Sequence, residues 1–164
     1  MKLKIKISII FATVIFIVDS FIMNQGVIAA VTLFIVVFVS LPITFYRQYK
    51  KRDYKTSYIV CLIYVLSALL VFCANYVNNK IAHHRAEMLI TKIEQYKIDH
   101  GSYPEKLQTL IPKYIDSIPA AKFSYHAKFY YYNSQGFTSI HYVAMPPFGR
   151  PFYDFKLKQW DYHD

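Results

Sequence analysis

The sequence predicts a membrane anchor of three apolar α-helices followed by a small α+β domain, in which a long helix packs on a three- to four-stranded antiparallel sheet. Hydrophobic residues make up 55% of the 164-residue chain, and the mean hydropathy of +0.21 is high for a soluble protein. These residues are concentrated in three runs, each about the ~20 residues that a helix needs to span a bilayer. After the third run the sequence becomes mixed and polar, as expected for a separate domain.

The predicted membrane-spanning helices are residues 7–23, 27–45 and 58–76. Lys2, Lys4 and Lys6 precede the first helix as they would precede the apolar core of a signal peptide, which is the alternative for this segment. No small-residue cleavage site follows Asp19, however, and the second apolar run begins almost at once. We therefore predict a transmembrane region at residues 1–76, with the lipid bilayer as a partner.

Positive charges predict how these helices are oriented. Three lysines precede the first helix, and the loop between the second and third helices carries Arg47, Lys50, Lys51, Arg52 and Lys55. The loop between the first and second helices carries no basic residue. Basic flanks of membrane helices stay in the cytoplasm. We therefore predict a protein of the bacterial inner membrane, with its amino terminus in the cytoplasm and residues 77–164 in the periplasm. The basic loop has a second interpretation, contact with lipid headgroups.

The net charge of +9 does not indicate a nucleic-acid partner, because eight of the nineteen basic residues flank the predicted membrane helices. Residues 77–164 contain eleven Lys plus Arg and eight Asp plus Glu, so 11 − 8 leaves a balance of only +3. Both cysteines, Cys61 and Cys73, lie in the third apolar run, too far apart along a helix to form a disulfide. The domain must therefore be stabilised by packing.

The third helix is predicted to continue well beyond the membrane. Its apolar residues recur at spacings of four and three, at Ala82, Ala86, Leu89, Ile93 and Tyr96. No proline or glycine lies between residue 58 and Gly101, and glycine commonly ends helices. The pattern indicates one long helix with a buried stripe on its outer half.

A short helix and a sheet are predicted to follow. Ser102 and Glu105 have the spacing of a capping box for a helix that buries Leu107, Leu110 and Ile111. Strand-forming residues then occupy 128–132, 137–144, 152–155 and 159–162, with a turn at 133–136 and a stiff loop at 145–151. This order predicts an antiparallel meander.

The residues of this outer part carry a family resemblance. Tyr96, Gly101, Tyr103 and Pro104 form the pattern Y-x-x-x-x-G-x-YP, followed by Leu107, Leu110 and the pair Ile118-Pro119. Together with the helix and the sheet, residues 58–164 resemble type IV pilins and the major pseudopilin of type II secretion. The resemblance implies a pilin-like domain.

The sequence also departs from that family. The pilin-like helix is the third one, no prepilin-peptidase site precedes residue 58, and no acidic residue lies within 58–76. We therefore expect a pilin-like domain on a polytopic anchor rather than a filament subunit. Major pseudopilins often hold calcium near the end of the sheet, where this chain has Asp154, Asp161 and Asp164. Their spacing is not a recognisable calcium loop, so we predict no cofactor and keep calcium as the alternative.

No pattern in the sequence indicates catalysis. We find no serine elbow, no catalytic pair of carboxylates and no cysteine outside the apolar runs. His83 and His84 are adjacent on a helix and would point about 100° apart, so they cannot readily share one metal ion. Asp19 is the one acidic residue in an apolar run and is therefore a candidate for a functional polar group; a structural role facing the other helices is the alternative. The chain is predicted not to be an enzyme.

Aromatic residues on both faces of the predicted sheet indicate a binding surface. Phe129 and Tyr131 would lie on one face, and Tyr130 and Tyr132 on the other. One row can pack on the long helix, which leaves the second for a partner or for the domain's own loops. Tyrosine and arginine are enriched in protein interfaces. The candidate partner-binding residues are Tyr130, Tyr132, Arg150 and Tyr153.

These observations predict a non-enzymatic inner-membrane protein that presents a periplasmic domain for protein binding. Two more specific functions remain open. One is an immunity protein that neutralises a secreted toxin acting at the inner membrane or in the periplasm. The other is an accessory component of type II secretion or type IV pilus assembly. A membrane-bound hydrolase would need a polar cleft, which the sequence does not indicate.

Overall fold

The computed structural model describes residues 2–125, 127–134, 136–145 and 149–163. The chain divides into two compact units, Met1–Tyr76 and Val77–Asp164. One helix contributes residues to both units.

The first unit consists of helices. Helix α1 (Lys2–Ile17) continues as a π-helical segment to Met23, and α2 (Val27–Ile35) continues through a π-helical segment into α3 (Leu41–Tyr49). Helix α4 begins at Lys55. Within the described residues, three helical stretches are long and apolar enough to cross a membrane: Lys2–Met23, Val27–Tyr49 and Lys55–His100. They contain the three predicted apolar helices, and that prediction is confirmed.

Small side chains lie inside this unit and large apolar ones outside. Ala29, Ala68 and Val71 are fully buried, whereas Phe34 is 62% exposed and most other large apolar side chains of the helices also face outward. The Ser67 hydroxyl donates a 2.9 Å hydrogen bond to the carbonyl oxygen of Ala12. Small and hydroxyl-bearing residues at helix contacts, with large apolar residues outside, are typical of helices that pack in lipid.

Helix α4 runs without interruption from Lys55 to His100, over 46 residues. Gly101 follows in the left-handed conformation, with φ = 76°, and its amide donates to the carbonyl oxygen of Lys97 at 2.8 Å. The glycine can adopt this conformation because it lacks a Cβ. The predictions of one long helix and of its end at Gly101 are confirmed.

The capping box predicted at Ser102 and Glu105 is wrong. Lys106 has extended φ and ψ angles, and only a single 3₁₀ turn, Leu107–Leu110, follows it without a side-chain cap. Within this segment the carbonyl oxygen of Pro104 accepts hydrogen bonds from the side chains of Tyr131 and Asn133 of the sheet. Contacts that are distant in sequence replace the local cap.

Four strands form one antiparallel sheet in the order β1-β2-β3-β4. The strands are Tyr130–Ser134 (β1), Phe137–His141 (β2), Arg150–Asp154 (β3) and Gln159–His163 (β4). The α+β arrangement and the meander are confirmed. The predicted turn was too long, because Ser134 already pairs with Phe137 and Asn133 with Thr138. Residues 135 and 146–148 of the predicted turn and loop lie outside the described part of the chain.

The core of the second unit lies between α4 and the sheet. Ala82, Ala86, Leu89 and Ile93 of the helix are fully buried, as is Ile140 of the sheet. These helix residues are the stripe that the spacing predicts, so one face of the sheet packs on α4.

Hydrogen bonds of Tyr103 and Pro104 connect the carboxyl-terminal end of α4 to the sheet. The Tyr103 hydroxyl lies 3.0 Å from Oε1 of Glu94 and 3.3 Å from the carbonyl oxygen of Phe155. The Tyr131 hydroxyl donates to the carbonyl oxygen of Pro104 at 2.9 Å. The Tyr-Pro pair therefore connects helix and sheet rather than merely marking a turn.

Candidate functional site

The face of the sheet that points away from α4 carries a patch of exposed aromatic side chains. Tyr130, Tyr132 and Phe137 are 46%, 51% and 39% exposed. Tyr130 pairs with His141, and His141 pairs with Phe152 on the next strand, so these three residues form one row across the sheet. We call this patch the outer aromatic face; its residues are the exposed Tyr130, Tyr132 and Phe137 and the half-buried His141 and Phe152.

Neighbouring rings on the outer aromatic face hold one another in place. The rings of Tyr130 and His141 are stacked, with centroids 5.0 Å apart and planes inclined by 10°. The rings of Tyr132 and Phe137 are 6.1 Å apart and tilted by 47°. Ring pairs at these separations attract one another. Their side chains therefore lose little further freedom when another surface covers them, which favours binding.

The opposite row of aromatic residues belongs to the core. Phe129 is buried, and Tyr131 packs against the core with its ring 6.4 Å from that of Phe155. Burial raises the pKa of Tyr131 far above its ordinary value and that of Tyr142 to about 12. These phenols therefore stay protonated at alkaline pH values at which an exposed tyrosine begins to ionise, and the Tyr131 hydroxyl donates a hydrogen bond inside the domain.

The four predicted partner-binding residues do not all share one face. Tyr130 and Tyr132 lie on the outer aromatic face, and Arg150 is exposed two residues before Phe152 on the same side of β3. Tyr153 lies on the opposite side, where its ring is 5.1 Å from that of Phe155 and 5.6 Å from that of Trp160. The structure therefore places Tyr153 against the core rather than beside Tyr130.

Two of the carboxylates considered as calcium ligands accept hydrogen bonds from backbone amides. Oδ1 of Asp154 accepts hydrogen bonds from the amides of Lys156 and Leu157 at 2.7 and 3.1 Å, which fixes the turn between β3 and β4. Oδ1 of Asp161 accepts one from the amide of Tyr162. Asp164 lies outside the described residues. Among those that are described, no three His, Cys, Asp or Glu side chains come together as a metal site.

Asp19 holds the start of the second helix. Its side chain is fully buried, and its two carboxylate oxygens accept hydrogen bonds from the amides of Gly26 (2.9 Å) and Ala29 (2.8 Å). The first amides of a helix lack partners within the helix, and an aspartate supplies them. The contacts of Asp19 thus explain an acidic residue in an apolar run on structural grounds.

Comparisons of the chain with protein-family models, curated proteins and solved structures find no match.

Sequence reasoning missed three members of the outer aromatic face, Phe137, His141 and Phe152. The positions of Phe137 and His141 follow from the hairpin register, because pairing of Ser134 with Phe137 places every second residue of β2 on the side of Tyr130 and Tyr132. Phe152 lies on the same side because it pairs with His141 across β2 and β3. Gly136, with φ = 79°, is the sequence signal for a short connection between β1 and β2.

Proposed function

We propose that the chain is a non-enzymatic protein of the bacterial inner membrane that presents a pilin-like domain to the periplasm, where the outer aromatic face binds another protein. The exposed aromatic face carries this proposal. Aromatic side chains with a polar tip are over-represented where proteins bind one another. Tyr130 and Tyr132 provide such tips, and Arg150 adds a charged group at the same side of the sheet.

Two features support the membrane location and the domain type. Three helices of the described chain have the length and composition of membrane spans, and their interior is built from small side chains. The Tyr103-Pro104 pair at the end of α4, followed by an antiparallel sheet, supports the pilin-like character of the domain.

Orientation is tested with reporter fusions. A reporter active only in the periplasm is expected to work when fused after Asp164 and to fail when inserted between Arg47 and Lys55, because basic loops remain in the cytoplasm. Activity from the loop insertion would reject this orientation.

Partner binding is tested by site-specific photo-crosslinking in the host cell. A photoreactive amino acid at position 132 is expected to give one discrete adduct with a second protein. The same amino acid at Ile98, which is 82% exposed on α4, serves as the control and is expected to give none. Substitution of Phe137 by alanine should lower the yield from position 132. Equal products at positions 132 and 98 would reject the binding face.

The identity of the crosslinked protein distinguishes the two more specific functions. A secreted toxin would assign an immunity role. A component of a secretion or pilus apparatus would assign an accessory role in assembly. Both outcomes are compatible with a non-enzymatic binding protein.

A further inference from the structure

The first unit contains a cavity of about 700 Å³ at the end where its basic segments lie. Its wall is formed by the beginning of α1, the end of α3, the loop that follows and the beginning of α4. Three cationic side chains line it, Lys4, Arg47 and Arg52. The volume falls within the roughly 300–1,000 Å³ typical of sites for small organic ligands.

The charge of the cavity is positive. Asp53 is the one carboxylate in its wall, and the Thr56 hydroxyl donates to both oxygens of that carboxylate at 3.1 and 3.3 Å. Within the described residues, neither Lys4 nor either arginine forms an ion pair with a carboxylate within 4.0 Å. Three cations against one anion thus face a common space, which favours an anionic ligand.

Polar donors accompany these cations. Nη1 of Arg47 donates to the Ser57 hydroxyl oxygen at 3.0 Å. That contact uses one of the five N–H donors of the Arg47 guanidinium. It orients the planar guanidinium group. Because Ser57 accepts from Arg47, its own O–H can donate into the cavity. Arginine forks and hydroxyls are the groups that hold phosphate oxygens.

The remaining wall is apolar. Ile7, Ile43 and Val60 line the same space as the cations. A free phosphate ion would use only the cationic part and leave these side chains without a ligand contact. A phospholipid would use both parts, because its phosphate is joined to acyl chains.

We infer that this cavity binds the phosphate headgroup of an anionic phospholipid, with Arg47, Arg52 and Lys4 contacting the phosphate and the isoleucines contacting the start of the acyl chains. The inference rests on the membrane insertion proposed above. It assigns the basic loop a ligand in addition to its effect on orientation.

The test measures lipid retention by the purified full-length protein in detergent. Native mass spectrometry would follow titration with phosphatidylglycerol, with phosphatidylcholine and with inorganic phosphate. Arg47→Gln combined with Arg52→Gln is expected to weaken phosphatidylglycerol retention by at least tenfold. Lys50→Gln combined with Lys51→Gln removes the same charge from neighbouring positions that are not part of the cavity wall, and is expected to have little effect.

A second pair of variants keeps the test informative if the double arginine variant does not fold. Lys4→Gln is expected to weaken retention, and Lys2→Gln, which changes a lysine outside the cavity wall, is not. Equal losses of lipid retention in the cavity variants and their controls would overturn the inference. Unchanged lipid retention in the cavity variants would also overturn it, and so would displacement of the lipid by millimolar inorganic phosphate. Because the titration does not depend on orientation, reversed reporter topology with intact lipid retention would reject the proposed orientation alone.

Discussion

Nε1 of Trp160 donates a 2.6 Å hydrogen bond to Oε1 of Glu87, which joins the last strand of the sheet to helix α4. The two residues are 73 positions apart in sequence. His83 completes the contact: its Nε2 lies 3.6 Å from the same carboxylate oxygen, and its ring centroid lies 4.8 Å from that of Trp160. The edge strand β4 is thus attached to the helix by a polar contact as well as by packing.

Removal of this carboxylate should loosen β4. We expect Glu87→Ala to lower the free energy of unfolding by about 1 kcal/mol, the usual net contribution of a hydrogen bond, and Glu87→Gln, which keeps an acceptor, to lower it less. Trp160 is the only tryptophan, so its fluorescence during urea titration reports on this contact. Glu105→Ala, an equal charge change at an exposed residue, is the control. Equal midpoints for the Glu87 and Glu105 variants would show that the bond contributes nothing.

Lys122 should make stability depend on pH. Its side chain is buried, and Nζ donates to Oδ1 of Asn79 at 2.9 Å and to the carbonyl oxygen of Ala144 at 2.6 Å. Burial lowers its pKa from 10.5 to about 8 despite these two acceptors. Above pH 8 the unfolded chain therefore binds more protons than the folded one, so stability rises with pH until the unfolded lysine also loses its proton.

The expected rise is about 2 kcal/mol between pH 7 and pH 9.5, measured as the difference between the wild type and Lys122→Met. The difference removes the contribution of the tyrosines, whose raised pKa values act in the opposite direction above pH 10. A difference that stays constant over this range would contradict the lowered pKa.

Asp19 should protect the amides at the start of α2. Asp19→Ala is expected to destabilise this helix end by about 1–2 kcal/mol, as loss of a helix cap does. Hydrogen exchange followed by mass spectrometry, in detergent, should show the loss as faster exchange in peptides that contain Gly26 and Ala29. Ser20→Ala is the neighbouring control, because its buried hydroxyl has no hydrogen-bond partner among the described residues. Similar exchange in both variants would indicate that Asp19 does not cap the helix.

The parts of the fold that were predictable are those determined by periodic patterns. Apolar runs gave the three helices, and the spacing from Ala82 to Ile93 identified the face of α4 that packs on the sheet. Local rules failed where distant contacts decide the conformation. Ser102 was expected to cap a helix, but only the 3₁₀ turn Leu107–Leu110 follows, and side chains of the sheet donate hydrogen bonds to the carbonyl oxygen of Pro104 instead.

The candidate sites were less predictable for the same reason. Alternation placed Tyr130 and Tyr132 together, but assigning Phe152 rather than Tyr153 to their face required the register across three strands. The cavity joins residues of α1, α3, the loop after α3 and α4, and the partner of Lys122 on α4 lies 43 positions away. Spacing alone does not reveal such contacts.

The outer aromatic face should be dispensable for folding if it serves binding. Tyr132 is 51% exposed, so Tyr132→Ala is expected to change the free energy of unfolding by no more than ~0.5 kcal/mol. Leu89 is fully buried between α4 and the sheet, and Leu89→Ala should cost about 2–5 kcal/mol because it leaves a cavity. Urea titration of the full-length variants, followed by Trp160 fluorescence, compares the two. If Tyr132→Ala destabilises the domain as much as Leu89→Ala does, Tyr132 supports the fold, and the face loses its role as a binding surface.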